Sequence, residues 1–239
     1  MHTCVCFPCL FLGFHFLSLG QQAWAESRSE HSYETAMKLL QHLRSLFSDG
    51  GPHAVRPNLV LYNTMLKVIE KCPFLSDKTG KARYILTLMK QDGLVPNART
   101  YNAMIRACGA VQEGDEENDA VLAQVLEGTR EALERLRSAS LVDSYTYPGV
   151  FQVCSRLLSK THPEFVEQAF GWCCEDQRVD GRVLFHVKNA MAKHHPEVLN
   201  RMFGVEKNGA SCKLHDFPRA WRRKAAQQRK KRTNRYRNT

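Results

Sequence analysis

One phrase in this chain is written twice. Pro57-Asn58-Leu59-Val60-Leu61-Tyr62-Asn63-Thr64-Met65 returns 39 residues later as Pro96-Asn97-Ala98-Arg99-Thr100-Tyr101-Asn102-Ala103-Met104, with Pro, Asn, Tyr, Asn and Met at matching offsets. Self-similarity at a period between about 20 and 50 residues marks a repeat architecture, in which no single unit buries its own apolar face and stacking completes the core. This constrains the fold more than any composition value does.

The residues between the two copies say what the unit is. Apolar positions Met65, Leu66 and Ile69, then Tyr84, Ile85, Leu88 and Met89, follow i, i+3, i+4 spacing on either side of a break at Cys72-Pro73. The second helix meets Gly93 and then Pro96, the expected order of C-terminal signals. Each unit therefore reads as helix, turn, helix and connector. Aligning Tyr62, Tyr101, Tyr147 and Phe185 gives intervals of 39, 46 and 38 residues. The fold class expected is all-α, a stack of helix-turn-helix units in an α-solenoid with about three to four degenerate repeats. The expected organisation is an apolar leader (1–25), a partial repeat (34–58), a repeat (59–97), a repeat with an acidic insertion (98–143), a degenerate repeat (144–181), capping helices (182–218) and a basic tail (219–239).

The Pro-Asn…Tyr-Asn phrase resembles the pentatricopeptide repeat (PPR), strongly at 57–66 and 96–105 and weakly in the other units. The resemblance implies single-stranded RNA binding, with one base read per repeat by the residue after the opening aromatic and the last residue of the repeat, flanked by the repeat's second residue. Mapped here, Asn63 pairs with Asn97 beside Val60, and Asn102 pairs with Asp143 beside Arg99. Both pairs look pyrimidine-directed by family usage. In the third unit Pro148 stands where Asn63 stands in the first, and Tyr145 beside it is a candidate for stacking on a base. The fourth unit offers His186. Against base contact stands a simpler reading of the asparagines as helix caps, and the alternative function is a helical-repeat scaffold for a protein partner. Family resemblance places such a chain in a mitochondrion or plastid, in RNA processing or translation.

Charge divides the chain sharply. From Arg219 to the C-terminus there are ten Lys or Arg and no acid, which leaves 24 basic against 24 acidic residues in 1–218. The body is neutral overall, and the tail residues Arg222, Arg223, Lys224, Arg229, Lys230, Lys231 and Arg232, interleaved with Trp221 and Tyr236, suit phosphate contacts and stacking. A nuclear-localisation address or a ribosome-docking extension shares this composition.

Nine cysteines without scaffold spacing read as small buried hydrophobes in a reducing compartment. No phosphate loop, zinc-protease helix or nucleophile elbow occurs, so no catalytic residue, metal or cofactor is expected. The leader "CVCFPCLFLGFHFLSL" at 4–19, followed by Ala23-Trp24-Ala25, has the length of a signal core; a presequence and a start placed upstream of the true one both remain open. It is short for a membrane span, and none is expected in the mature chain.

Overall fold

The computed structural model describes residues 31–48, 56–111, 114, 117–206 and 209–222. The leader, the Gly50-Gly51 connector, part of the acidic insertion and the tail from Arg223 onward lie outside them. Among the described residues every element is helical. The helices are α1 (Ser32–Ser48), α2 (Leu59–Lys71), α3 (Lys78–Gln91), α4 (Ala98–Cys108), α5 (Asp119–Ser138), α6 (Thr146–Val153, continued by a π-turn over Cys154–Leu158), α7 (Pro163–Glu175), α8 (Gly181–Met191) and α9 (Pro196–Phe203). The all-α hairpin pattern is the one the repeated phrase predicts. The chain forms two compact units, Met1–Ala132 and Leu133–Thr239.

In the first unit α2 packs on α1, α3 and α4, so first helices lie on first helices with α3 closing the hairpin. Tyr62, Met65, Leu66, Ile69, Ile85 and Met89 are fully buried between them. Gly128 of α5 sits where a Cβ would come within 2.6 Å of the Thr79 methyl and 2.8 Å of the Cys108 Sγ, so only glycine allows that approach. In the second unit α6 and its π-turn pack on α8, and α7 and α9 pack on both neighbours. The core is aromatic: Tyr147, Phe151 and Phe165 are fully buried.

Hairpin closure recurs in both units. At the end of α3, the Gly93 N–H donates to Lys90 and the Leu94 N–H to Met89, the paired bonds of a Schellman motif, with Gly93 at φ +73°. After α5, Ser140 takes the same left-handed conformation (φ 55°), with Leu141 N–H donating to Leu136. After α7, Gln177 does so (φ 57°), with Arg178 N–H donating to Cys173. The motif satisfies carbonyls that the helix end leaves bare, and the geometry holds even where the residue is not glycine.

Candidate nucleic-acid interface

Each first helix is preceded by the same device, an Asn or Asp side chain that accepts from the N–H three residues on; at α6 this turn lies ahead of the helix, whose own N-cap position is Tyr145. The Asn58 side chain accepts from Leu61 N–H, and Asn97 accepts from Thr100 N–H in a reciprocal capping box. Asp143 accepts from Thr146 N–H at 3.1 Å while Thr146 Oγ1 accepts from Asp143 N–H, and Asp180 accepts from Val183 N–H. The caps at 58, 97, 143 and 180 fix a common phase. The residue four past each cap, Tyr62, Tyr101, Tyr147 and Leu184, is buried, and so are those seven past (Met65, Met104, Val150, Val187) and eleven past (Ile69, Cys108, Cys154, Met191).

This phase corrects the fourth unit by one residue. Leu184, 4% exposed, fills the place of the buried tyrosines, and Phe185, 60% exposed, stands level with Asn63 and Asn102. Apolar character alone could not separate two adjacent apolar residues; the Asp180 cap does.

Of the sequence-predicted residues, Val60, Asn63, Arg99, Asn102 and Tyr145 lie two or five past the cap of their first helix, at helical spacing, whereas Asn97 and Asp143 are cap residues themselves. Val60 (52% exposed), Arg99, Tyr145 (51% exposed) and Arg182 are two past it. Asn63, Asn102, Pro148 and Phe185 are five past it. Asn63 is half-buried, and its Oδ1 is a buried acceptor with no hydrogen bond. An acceptor in that state costs about 1–3 kcal/mol until a donor reaches it. Asn102 is only 7% exposed. Neither asparagine is a helix cap: that role belongs to Asn97 and Asp143, whose cap bonds all run to Oδ1. The Asn97 cap bonds leave its amide nitrogen unused by the cap.

Pro148 has a local consequence. Lacking an N–H, it leaves the Ser144 carbonyl without its helical donor. Arg182 Nη2 supplies one at 2.6 Å, and its guanidinium lies 5.6 Å from the Tyr145 ring centroid, over the face.

Electrostatics on the first helices is not that of the neutral body. Lys67, Lys71, Arg99, Arg106, Arg156, Arg182 and Lys188 stand against a single acid, Glu70, on α2, α4, α6 with its π-turn and α8. Glu70 is itself held by Arg106 at 3.1 Å and Lys71 at 3.7 Å. Among the second helices α5 carries four acids and α7 three, while α3 carries none and four basic residues. Net charge over residues 1–218 hides this basic excess on the first helices.

Sequence reading also missed a clamp that occurs in both units. Tyr62 donates its hydroxyl to Asp92, which Arg44 holds at 2.9 Å. Tyr147 donates to Asp176 at 2.5 Å, and Arg137 holds Asp176 at 3.2 Å and Glu175 at 2.6 Å. Burial first, and then the carboxylate bond, pushes both phenol pKa values well above the ordinary range. Buried thiols are likewise kept protonated, Cys108 pushed up to about 11 and Cys154 to about 12 by desolvation. No group of three or more metal-ligating side chains forms among the described residues, and none of their helices is long and apolar enough to cross a membrane.

The start of the basic tail is tied down. Phe217 is 4% exposed in a cluster with Phe170 and Phe203, and the Trp221 ring meets Phe170 edge-on at 6.2 Å. The Trp221 carbonyl accepts from Val179 N–H at 3.2 Å. Trp221 thus packs against the aromatic cluster of the second unit. Arg222 is the last described residue, half-buried with its Nε without a bond partner; Arg223, Lys224, Arg229, Lys230, Lys231 and Arg232 lie outside the described residues.

The family model of the pentatricopeptide repeat domain matches residues 55–111, which span α2, α3 and α4. The chain carries pentatricopeptide repeats. No curated protein and no solved structure matches it. The matched PPR segment contains both copies of the Pro-Asn…Tyr-Asn phrase, the Asn58 and Asn97 caps and the Asn63 and Asn102 stripe. Residues 55–111 are therefore pentatricopeptide-repeat units within a chain whose described elements are all helical.

Proposed function

We propose that the chain is a single-stranded RNA-binding adaptor without catalytic activity, acting in organellar RNA metabolism or translation, in a mitochondrion or plastid. The observation that carries this reading is the first-helix stripe: amides in repeat register on helices whose seven basic residues face one acid. Asn63 with Asn97, beside Val60, and Asn102 with Asp143, beside Arg99, contact pyrimidines. A short amide both donates to and accepts from a base edge. Two such contacts, each on the order of 1–3 kcal/mol, do not select a transcript alone. The tail supplies affinity indifferent to sequence, and a ribonucleoprotein or protein partner completes the specificity.

The test is fluorescence anisotropy with U-rich, C-rich and A-rich strands at two salt concentrations. The proteins compared are the full chain, a chain ending at Arg222 that keeps the Trp221 anchor, and Asn63→Ala/Asn102→Ala. The adaptor reading expects pyrimidine preference in the first two and its loss in the third, with steeper salt dependence when the tail is present. Binding that disappears with the tail and never depended on sequence would leave the alternative, a protein-binding scaffold. Asn97 and Asp143 are poor probes, because removing a cap costs about 0.5–2 kcal/mol by itself.

A further inference from the structure

After α9 the chain stays on the second unit. Gly209 N–H donates to the Asn200 side chain at 2.8 Å, and Lys188 donates to the Cys212 carbonyl. Phe217 then enters the aromatic cluster, its ring 4.9 Å from that of Phe203 and 5.8 Å from that of Trp221. This strap ends at a fixed point, where the Trp221 carbonyl accepts from the buried Val179 N–H at 3.2 Å. Val179 stands between Arg178, which donates to the Val142 carbonyl at 2.7 Å, and Asp180, the cap of α8. Arg182 donates to the Ser144 carbonyl at 2.6 Å. The connectors that precede α6 and α8 therefore lie together, and the strap ends on them. The basic run begins at once, with Arg222, Arg223 and Lys224 directly after Trp221.

We propose that the strap is a tether: it starts the basic tail beside the N-terminal ends of α6 and α8, so that the tail grips the phosphates of an RNA strand held by the same chain. The proposal rests on the RNA-binding reading above and adds what makes the tail effective. A linked contact acts at an effective concentration that falls as about the −3/2 power of the intervening chain length. Only 17 residues follow Arg222, a span of at most about 60 Å, and eight of them are Lys or Arg with no acid among them. Released back to Gly204, the free chain would be 35 residues long, and the same charges would search a far larger volume. The acids at this end, Asp143 and Asp180, are engaged in their caps, Asp180 also with Arg182 at 3.1 Å. A receptor-read address works from any point of attachment. Two aromatic residues packed on the core directly before the first cations suit a tail whose origin matters.

The experiment inserts about 50 Gly and Ser residues between Arg222 and Arg223 of the full chain; a control appends the same residues after Thr239. Anisotropy titrations use the U-rich, C-rich and A-rich strands. The insertion lengthens the chain beyond the anchor about fourfold, so affinity is expected to fall on the order of eightfold for every strand. The control is expected to bind as the wild type does, and the Val179 amide to exchange slowly with solvent in all three proteins. Wild-type affinity in the inserted chain overturns the tether, since the tail would then act by charge alone. An equal loss in the control also overturns it, because bulk and not distance would be responsible. A freely exchanging Val179 amide overturns the anchor itself. If the chain ending at Arg222 binds as tightly as the full chain, the tether fails while the Asn63 and Asn102 result still judges base reading. A full chain that binds none of the strands sinks both readings.

Discussion

Five residues past the cap the first unit places Asn63 and Asn102, whereas the second places Pro148 and Phe185. Beneath that difference the positions four, seven and eleven past the cap are buried in both units. A tyrosine bonded to a carboxylate that an arginine holds recurs in both. The frame is kept while the surface changes from hydrogen-bonding amides to rings. A repeat that must stack can vary only where it does not touch its neighbours, so the exposed stripe is where function differs. Degeneracy of the third and fourth units, judged by the signature phrase, is a statement about this stripe and not about the fold.

The comparison breaks most visibly if the shared frame is not what holds the units. Asp92→Ala strands Arg44 and the Tyr62 hydroxyl, with the Asp92 side chain only 12% exposed. The expected loss is about 2 kcal/mol, below the figure for a fully buried pair because Arg44 is partly solvated. Asp176→Ala should cost less, about 1 kcal/mol, since the Asp176 side chain is 23% exposed and Arg137 keeps Glu175 at 2.6 Å. Urea unfolding of the full chain measures both. Losses under 0.5 kcal/mol in each would reduce the clamps to ordinary surface pairs.

A face exchange sharpens the contrast. Phe185→Asn gives the fourth unit the amide of the first two while leaving Leu184 in the core. With Phe185 60% exposed and outside the core, the urea midpoint should not change. A falling midpoint would mean that Phe185 belongs to the frame.

Backbone closure supplies a smaller effect. Ser140 and Gln177 hold the conformation that Gly93 holds. Ser140→Gly and Gln177→Gly should each stabilise by about 0.5–1 kcal/mol, because a side chain in the left-handed region costs on the order of 1 kcal/mol that glycine does not incur. Gly93→Ala should destabilise by a similar amount. A destabilising Gln177→Gly in thermal melts would show that the Gln177 side chain contributes more than its backbone costs.

These closures also mark what the sequence could convey. Gly93 with Pro96 announced the end of α3, and His162-Pro163 and His194-His195-Pro196 announced the starts of α7 and α9. Ser140 and Gln177 announced nothing, because neither is a residue type that the left-handed conformation favours. The caps were visible as Asn or Asp before an apolar run, yet their phase was lost in the fourth unit, where Phe185 drew the alignment away from Leu184. The Tyr–Asp–Arg clamps were invisible: Arg44 and Asp92 are 48 residues apart, and only the folded hairpins bring them together. Of the candidate site, the amides and their register were legible. The ring face of the second unit was half legible, with Tyr145 apparent and Phe185 hidden by that one-residue slip.

The smallest expected effect tests whether the two faces also titrate differently. Six past the cap, the first unit has Thr64 and Ala103, and the fourth first helix has His186. Burial, and then the Arg182 charge, lowers the His186 pKa below its ordinary value. The fold therefore favours the neutral ring, and on acidification the unfolded chain takes up this proton first. Stability then rises with pH across that interval: His186 contributes fully above about pH 6.5 and loses its contribution as pH falls through the folded value. Melting temperatures of wild type and His186→Gln between pH 7.5 and 5 should converge toward acid, the wild type falling more steeply. Parallel curves would mean that neither burial nor the Arg182 charge disfavours the charged His186 ring in solution.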